Sequence, residues 1–284
     1  MNGRVKFGLL AGMFVFQAPL VAWPQNQGVT PPADIEQRTQ RNLNYFQQEG
    51  RRSGLSNLKF ETEFEFPRVI VTGFSANMGT GTVSGTGRVD LFNPLGRQSM
   101  KVQYRRVPLA NYVRSYLVKW DADISGTIDA DLDLRWNGIT RAQARRSMTG
   151  TGTVRYSGGQ IRRASAITAV ANEIGLRSPL PLQIQRGTAQ GTMTNGTLRI
   201  NQMRILGRDV AAQVTGSVNL ATGVADTKFD LFVNQAMANR ASKLSSEQRA
   251  ARAPSWVRTA RVPVPVSLSL RGDLEAPNFV VVPR

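Results

Sequence analysis

From residue 120 to residue 136 the sequence alternates without a break. Trp120, Ala122, Ile124, Gly126, Ile128, Ala130, Leu132, Leu134 and Trp136 take one side of the period. Asp121, Asp123, Ser125, Thr127, Asp129, Asp131, Asp133 and Arg135 take the other. A period of two puts neighbouring side chains on opposite faces of a strand, so this run predicts a strand with one apolar and one wet face. Fully straight, it would span about 55 Å, far beyond the usual strand of about five or six residues. Such a strand suits a broad curved sheet whose apolar side lines something large: a groove, a lumen or a path for lipid.

The pattern recurs. Phe60, Thr62, Phe64 and Phe66 alternate with Lys59, Glu61, Glu63 and Glu65, and Val83, Gly85, Gly87, Val89 and Leu91 with Ser84, Thr86, Arg88 and Asp90. Val210, Ala212, Val214, Gly216, Val218 and Leu220 follow, then Phe229, Leu231 and Val233, and finally Val264, Val266, Leu268, Leu270, Gly272 and Leu274. Clean alternation predicts antiparallel sheet with a solvated face; buried parallel strands read as continuous apolar runs. Asn93-Pro94, Asn137-Gly138, Gly158-Gly159, Asn195-Gly196 and Thr222-Gly223 supply turn chemistry between strands. The expectation is a mainly β chain of roughly ten to twelve strands.

Composition narrows the chemistry. The 284 residues contain no cysteine and no histidine, which removes disulfides, thiolate metal sites, cysteine nucleophiles and serine–histidine triads. The acidic residues form a regular row on a wet strand face and no catalytic carboxylate pair stands out, so a non-enzymatic protein without cofactor or metal is expected. Lys and Arg number 36 against 19 Asp and Glu, giving a pI near 11.3. That balance favours anionic partners such as lipid head groups or phosphorylated glycolipid. The arginines are scattered, with small clusters at Arg51-Arg52, Arg105-Arg106, Arg145-Arg146 and Arg162-Arg163. Neither an RNA-binding aromatic motif nor zinc-finger spacing is present, so nucleic acid is not an expected partner.

Residues 1–23 read as a signal peptide or signal-anchor. Arg4 and Lys6 precede an apolar stretch too short for an ordinary spanning helix, and no clean small-x-small cleavage pair precedes Trp23-Pro24. Either form directs the remainder of the chain out of the cytoplasm, anchored in the membrane if uncleaved. Residues 24–55 read as a linker and then a helix capped by Asp34, with Ile35, Leu43 and Phe46 as a thin apolar face. The β region occupies 56–284. Within it, helical segments are expected at 109–117, 165–176 and 235–252, the second as a cap over one opening of the sheet and the third as a solvated excursion.

Gly-Thr pairs recur, as in residues 79–87, but their spacing fits neither G-x-G-x-x-G nor a P-loop. On alternating strands these glycines mark bends, or leave room on the inward face for a ligand.

Residues 148–161 (MTGTGTVRYSGGQI), the helix at 165–176 and the hairpins of 187–233 resemble the C-terminal region of AsmA-like and TamB-like envelope proteins. The closing stretch Val262-Pro-Val-Pro-Val-Ser-Leu-Ser-Leu-Arg-Gly-Asp-Leu-Glu-Ala-Pro277 is similar to that family's final Pro-Val strand and Gly-x-Leu-x-x-Pro. The resemblance implies a long antiparallel, twisted, gutter-shaped β-sheet with a few short helices and an open apolar groove. It further implies phospholipid transport between membranes and outer-membrane assembly or integrity. This chain is shorter than usual members. The expected groove residues are Trp120, Ile124, Ile128, Leu132, Trp136, Val214, Val218, Leu220, Val266, Leu268 and Leu270. Arg105, Arg106, Arg162 and Arg163 are candidate head-group contacts. Expected partners are a phospholipid or other acyl lipid, an inner- or outer-membrane surface, and an envelope protein. Two other readings remain at this stage: a structural or assembly factor that binds an outer-membrane protein or the cell wall without carrying lipid, and a transmembrane β-barrel.

Overall fold

A computed structural model describes residues 33–52, 54–65, 68–92, 96–111, 122–138, 140–177, 180–257, 261–273 and 278–283. The chain opens with α1 (Ala33–Arg52), then β1 (Leu55–Glu65), β2 (Arg68–Met78), β3 (Gly81–Asp90), β4 (Arg97–Pro108), β5 (Ala122–Ile124) and β6 (Thr127–Asn137). It continues through α2 (Arg141–Ser147), β7 (Thr149–Ala164), α3 (Ser165–Glu173), β8 (Leu182–Thr194), β9 (Thr197–Gly207), β10 (Val210–Asn219) and β11 (Val224–Asn234). Helices α4 (Gln235–Arg240) and α5 (Ser246–Ala250) precede β12 (Arg261–Asp273) and β13 (Asn278–Pro283). The thirteen strands make one antiparallel sheet in chain order, with β5 beside β6 on the same partner, β7. It is open: β1 and β13 are its edges and do not pair with each other.

The turns follow local chemistry. Asn195 and Gly196 both have positive φ, 47° and 75°, as a two-residue hairpin turn of the primed type requires. The long alternating run is bent. Gly126 has φ +115° and interrupts it between β5 and β6, where Ser125 N–H donates to the Gln160 carbonyl at 2.9 Å and Leu109 N–H to the Gly126 carbonyl at 2.8 Å. Across the bend Ile124 pairs with Ile161 and Ile128 with Tyr156 on the same neighbouring strand, with a register shift at β5. Trp120 lies outside the described residues.

Residues paired across antiparallel strands point to the same side, so register carries a face through the sheet. One unbroken row runs Phe60, Phe74, Gly85, Val102, Leu132, Gly152, Gly191, Ile200, Gly216, Thr227 and Leu270. The next runs Met100, Leu134, Gly150, Met193, Leu198, Val218 and Ala225. These rows form the inner face, which is largely buried although it belongs to a single layer: Val83 and Val102 are 0% exposed and Leu132 3%. A single sheet buries its own face by rolling around it.

Two cores result. The first takes in β1–β4, β6 and the near ends of β8–β12, with Ile35 and Leu43 of α1 packed into it. The side chain of Phe46 lies outside the described residues. The second caps the other end, where Val170, Ala171 and Ile174 of the α3 region meet Leu182, Ile184, Val262 and Val264. The helix expected at 165–176 thus covers one opening of the roll. The segment 235–252, expected to be one solvated excursion, is instead two short helices, and Met237, Ala238, Ala241 and Leu244 are buried in the second core. In the sequence Met237, Ala241 and Leu244 form only a weak apolar face at helical spacing, yet they plug the roll. Of the helix expected at 109–117, only 109–111 are described, and they are helical.

Glycines on the inner face are covered by large neighbours. A Cβ on Gly85 would lie 2.1 Å from the Phe74 ring, and one on Gly152 would lie 2.7 Å from Leu132 Cδ2. At these positions the missing side chain is replaced by one from the adjacent strand, which settles the choice between bending and empty room in favour of filled space. Gly85→Ala is expected to destabilise the protein by about 1–3 kcal/mol through overpacking. In the Phe74→Leu background the same change should cost measurably less, read as the urea midpoint in a double-mutant cycle.

Candidate apolar site along strand β8

The predicted groove residues do share the inner face, but most are already out of water. Ile128, Leu132, Trp136, Val218, Leu220 and Leu270 belong to the first core and Leu268 to the second, while Val214 is 1% exposed. Only Ile124 and Val266 among the described ones are half-buried.

The inner face is least covered over the middle of β7–β9. There β8 contributes only Gly187, Ala189 and Gly191. They are flanked by Val154 and Tyr156 on β7 and by Ile200, Met203 and Ile205 on β9. The five flanking side chains are half-buried. Small residues on the central strand between larger ones on both sides make a shallow apolar trough running along β8. Its flanking backbones are two strand spacings apart, about 10 Å. Leu198 leans over Gly191, its Cδ1 2.8 Å from where a Cβ would stand, whereas the nearest atom at Gly187 is Tyr156 Cβ at 3.3 Å. Gly187 is itself buried, whereas Ala189 and Gly191 are half-buried, so the trough is most open around Ala189.

None of these flanking residues was singled out by sequence. The reason is a β-bulge: Val214 pairs with Met203 but Gly216 with Ile200, so β9 holds one extra residue around Asn201-Gln202. Ile200, Met203 and Ile205 thereby share a face despite breaking the period of two. On β7 the threonine–glycine alternation of 149–153 gave the signal, and Val154 and Tyr156 continue it.

Tyr156 ties the trough to the bend. Its hydroxyl donates to the Ser125 carbonyl at 2.6 Å, and its ring fills the Cβ position of Gly126, 2.6 Å away. Burial pushes the phenol pKa up, so the donor stays protonated where a free tyrosine begins to ionise.

The four candidate arginines lie elsewhere. Arg105 is on the outer face, its guanidinium 2.5 Å from Asp131 Oδ1 and 3.2 Å from the Ala130 carbonyl, so it braces β4 against β6. Arg106 is exposed with φ 50°, and its N–H donates to Asp129 Oδ1 at 2.8 Å. Arg162 and Arg163 are exposed at the end of β7. A separate shallow cavity of about 460 Å³, lined by Thr168, Asn172, Gly175, Leu176, Arg177, Leu180 and Ser242, opens beside the α3 cap. Its rim is closed by backbone bonds, Lys243 N–H to the Ile174 carbonyl at 3.1 Å and Ser242 N–H to that of Gly175 at 3.3 Å.

Among the described residues no helix is long and apolar enough to cross a membrane, and no three acidic groups gather as a metal-ligand set. No family model, no curated protein and no solved structure matches this chain. What the trough offers chemically is apolar contact with little polar interruption.

Tyr156→Phe should lower stability by about 1 kcal/mol through the lost hydrogen bond. The sign with pH follows from the raised phenol. Stability from this group is level below the ordinary value of 10.0 and falls above it, because the unfolded chain releases a proton that the folded chain keeps. The variant should lack that share of the alkaline decline when melting temperatures are compared over about pH 9 to 11.

Proposed function

We propose that this protein is a non-enzymatic component of the cell envelope that holds a phospholipid acyl chain along the β8 trough. The observation that carries the reading is the line of Gly187, Ala189 and Gly191 between half-buried Val154, Tyr156, Ile200, Met203 and Ile205. An acyl chain laid there gains about 0.8 kcal/mol per buried methylene, so six methylenes contribute about 5 kcal/mol before ordering costs. The unpaired edges at β1 and β13 support lateral entry, since no strand pairing has to break there. The resemblance of residues 148–161, 187–233 and 262–277 to AsmA-like and TamB-like proteins supports a periplasmic setting, movement of phospholipid between membranes and a part in outer-membrane integrity. An apolar N-terminal segment following Arg4 and Lys6 supports export or inner-membrane anchoring.

The transmembrane-barrel reading is less well supported. Such a barrel is closed and apolar outside, whereas this sheet is open and turns Thr, Asp and Arg outward on β6 and β7. The structural or assembly role has a specific observation in its favour, the deep burial of Leu132, Val214 and Leu270, which makes those positions ordinary core.

The test uses half-buried positions, because a charge at Ile128 or Leu132 would unfold the protein. Ile200→Thr and Ile205→Thr keep β-branching and Met203→Gln keeps an unbranched stem, while together they make the trough polar. Lipid co-purifying with the full chain, measured by mass spectrometry, should fall at least about fivefold, with a melting temperature within a few degrees of the parent. Unchanged lipid content in the folded variant would assign the inner face to packing alone and leave the structural role.

A further inference from the structure

The outer face of the sheet is divided by charge, and the division does not depend on what the inner face holds. Strands β7 to β10 carry six arginines, Arg155, Arg162 and Arg163 on β7, Arg186 on β8, and Arg199 and Arg204 on β9. They carry no aspartate or glutamate. On one side the band ends at β6, whose outer face bears Asp129, Asp131, Asp133 and Arg135; on the other it ends at β11, where Asp226 and Asp230 flank Lys228. Several of these carboxylates are paired with cations of their own ridge or its neighbour: Asp131 with Arg105, Asp226 with Arg271 and Asp230 with Lys228. The two acidic ridges are five strand spacings apart, about 24 Å.

Register orders the band into rows. Arg155, Thr188 and Arg204 stand in one row, Thr153, Gln190 and Gln202 in another, and Thr151, Thr192 and Arg199 in a third. Arg186 sits in the row beyond, opposite Ser157. From Arg186 to Arg199 the track covers about 20 Å along the strands. Arg155, Arg186 and Arg199 are exposed and enter no hydrogen bond or ion pair among the described residues. Arg204 is held in place by the Trp256 ring, 5.0 Å from its guanidinium carbon, and that ring meets Phe232 edge-on at 5.7 Å. The residues between the arginines are hydroxyls and amides.

We infer that this outer track binds a linear anionic polysaccharide. A narrow band of exposed arginines between two ridges of balanced charge fits a chain lying along the strands. A flat anionic bilayer would cover those ridges as well, where aspartates offset the cations and add no attraction. Free arginines supply charge-assisted, planar contacts to carboxylate, sulfate or phosphate groups. The intervening Thr and Gln side chains supply donors and acceptors to sugar hydroxyls. A single-stranded nucleic acid would call for a row of aromatic stacking platforms; the outer positions of β7–β10 hold none, and the Trp256 ring beside the track is half-buried against Arg204 and Phe232.

The experiment titrates the full-length protein with heparin and with polygalacturonate at low salt. A thymidine oligonucleotide and phosphatidylglycerol vesicles serve as competing classes. Arg155→Gln, Arg186→Gln and Arg199→Gln together remove charge from exposed positions without touching the core. They are expected to weaken both polysaccharides at least about tenfold and to flatten the salt dependence by about three contacts. The control Arg135→Gln, Arg240→Gln and Arg252→Gln makes the same change in net charge at exposed sites off the track, and should alter binding less than about twofold. Equal weakening by both triple variants, or no binding of either polysaccharide, overturns the inference. So does tighter binding of the oligonucleotide or the vesicles that is lost in the first triple variant.

Discussion

Everything in this molecule depends on strand register. A single layer has no second sheet to correct a mistake, so a slip of one residue in any pair would turn one strand's apolar set outward and its charges inward. The continuous row from Phe60 to Leu270 shows that each pairing preserves the face it inherits. Where a strand holds an extra residue, a bulge absorbs it. The Asn201-Gln202 bulge brings Ile205, Met203 and Ile200 back to the inner face, and a comparable shift on β4 lets both Tyr104 and Val107 remain inside. The alternation is a consequence of this constraint as much as a cause of it.

Size complementarity between adjacent strands makes the roll tight. Phe74 over Gly85, Leu132 over Gly152 and Tyr156 over Gly126 each place a large side chain above a bare backbone. A curled sheet has less area on its inside than on its outside, and alternating large residues with none relieves that crowding. The pattern loosens at β8, whose inward residues are small while the neighbours on both sides are only half-buried. The trough is thus the place where the filling rule is incompletely applied.

Much of the fold was legible in the sequence, because register and periodicity are local properties. Alternation in 128–136 and 210–220 marked the inner face correctly, and Asn195-Gly196 marked its hairpin. What alternation could not reveal was how far the face is covered, since that depends on residues distant in sequence. Leu132 and Met203 obey the same strand chemistry, yet one is enclosed by the roll and the other is half-open. The trough was also hidden because its β9 wall lies across a bulge. The 235–244 segment went unrecognised as a plug because Met237, Ala241 and Leu244, though at helical spacing, make a thin apolar face in an otherwise polar stretch, and what that face meets depends on strands distant in sequence.

The chain-order topology also has a kinetic side. Every strand finds its partners one or two places away along the chain, β4 skipping β5 to reach β6 and β5 reaching β7, so hardly any pairing must wait for a remote segment, and loop-closure entropy stays small at each step. A polypeptide delivered from one end can therefore add hairpin to hairpin as it emerges, each new strand templated on the last. The growing edge stays open until the next strand arrives, which makes the half-built sheet the most aggregation-prone stage in the life of this protein.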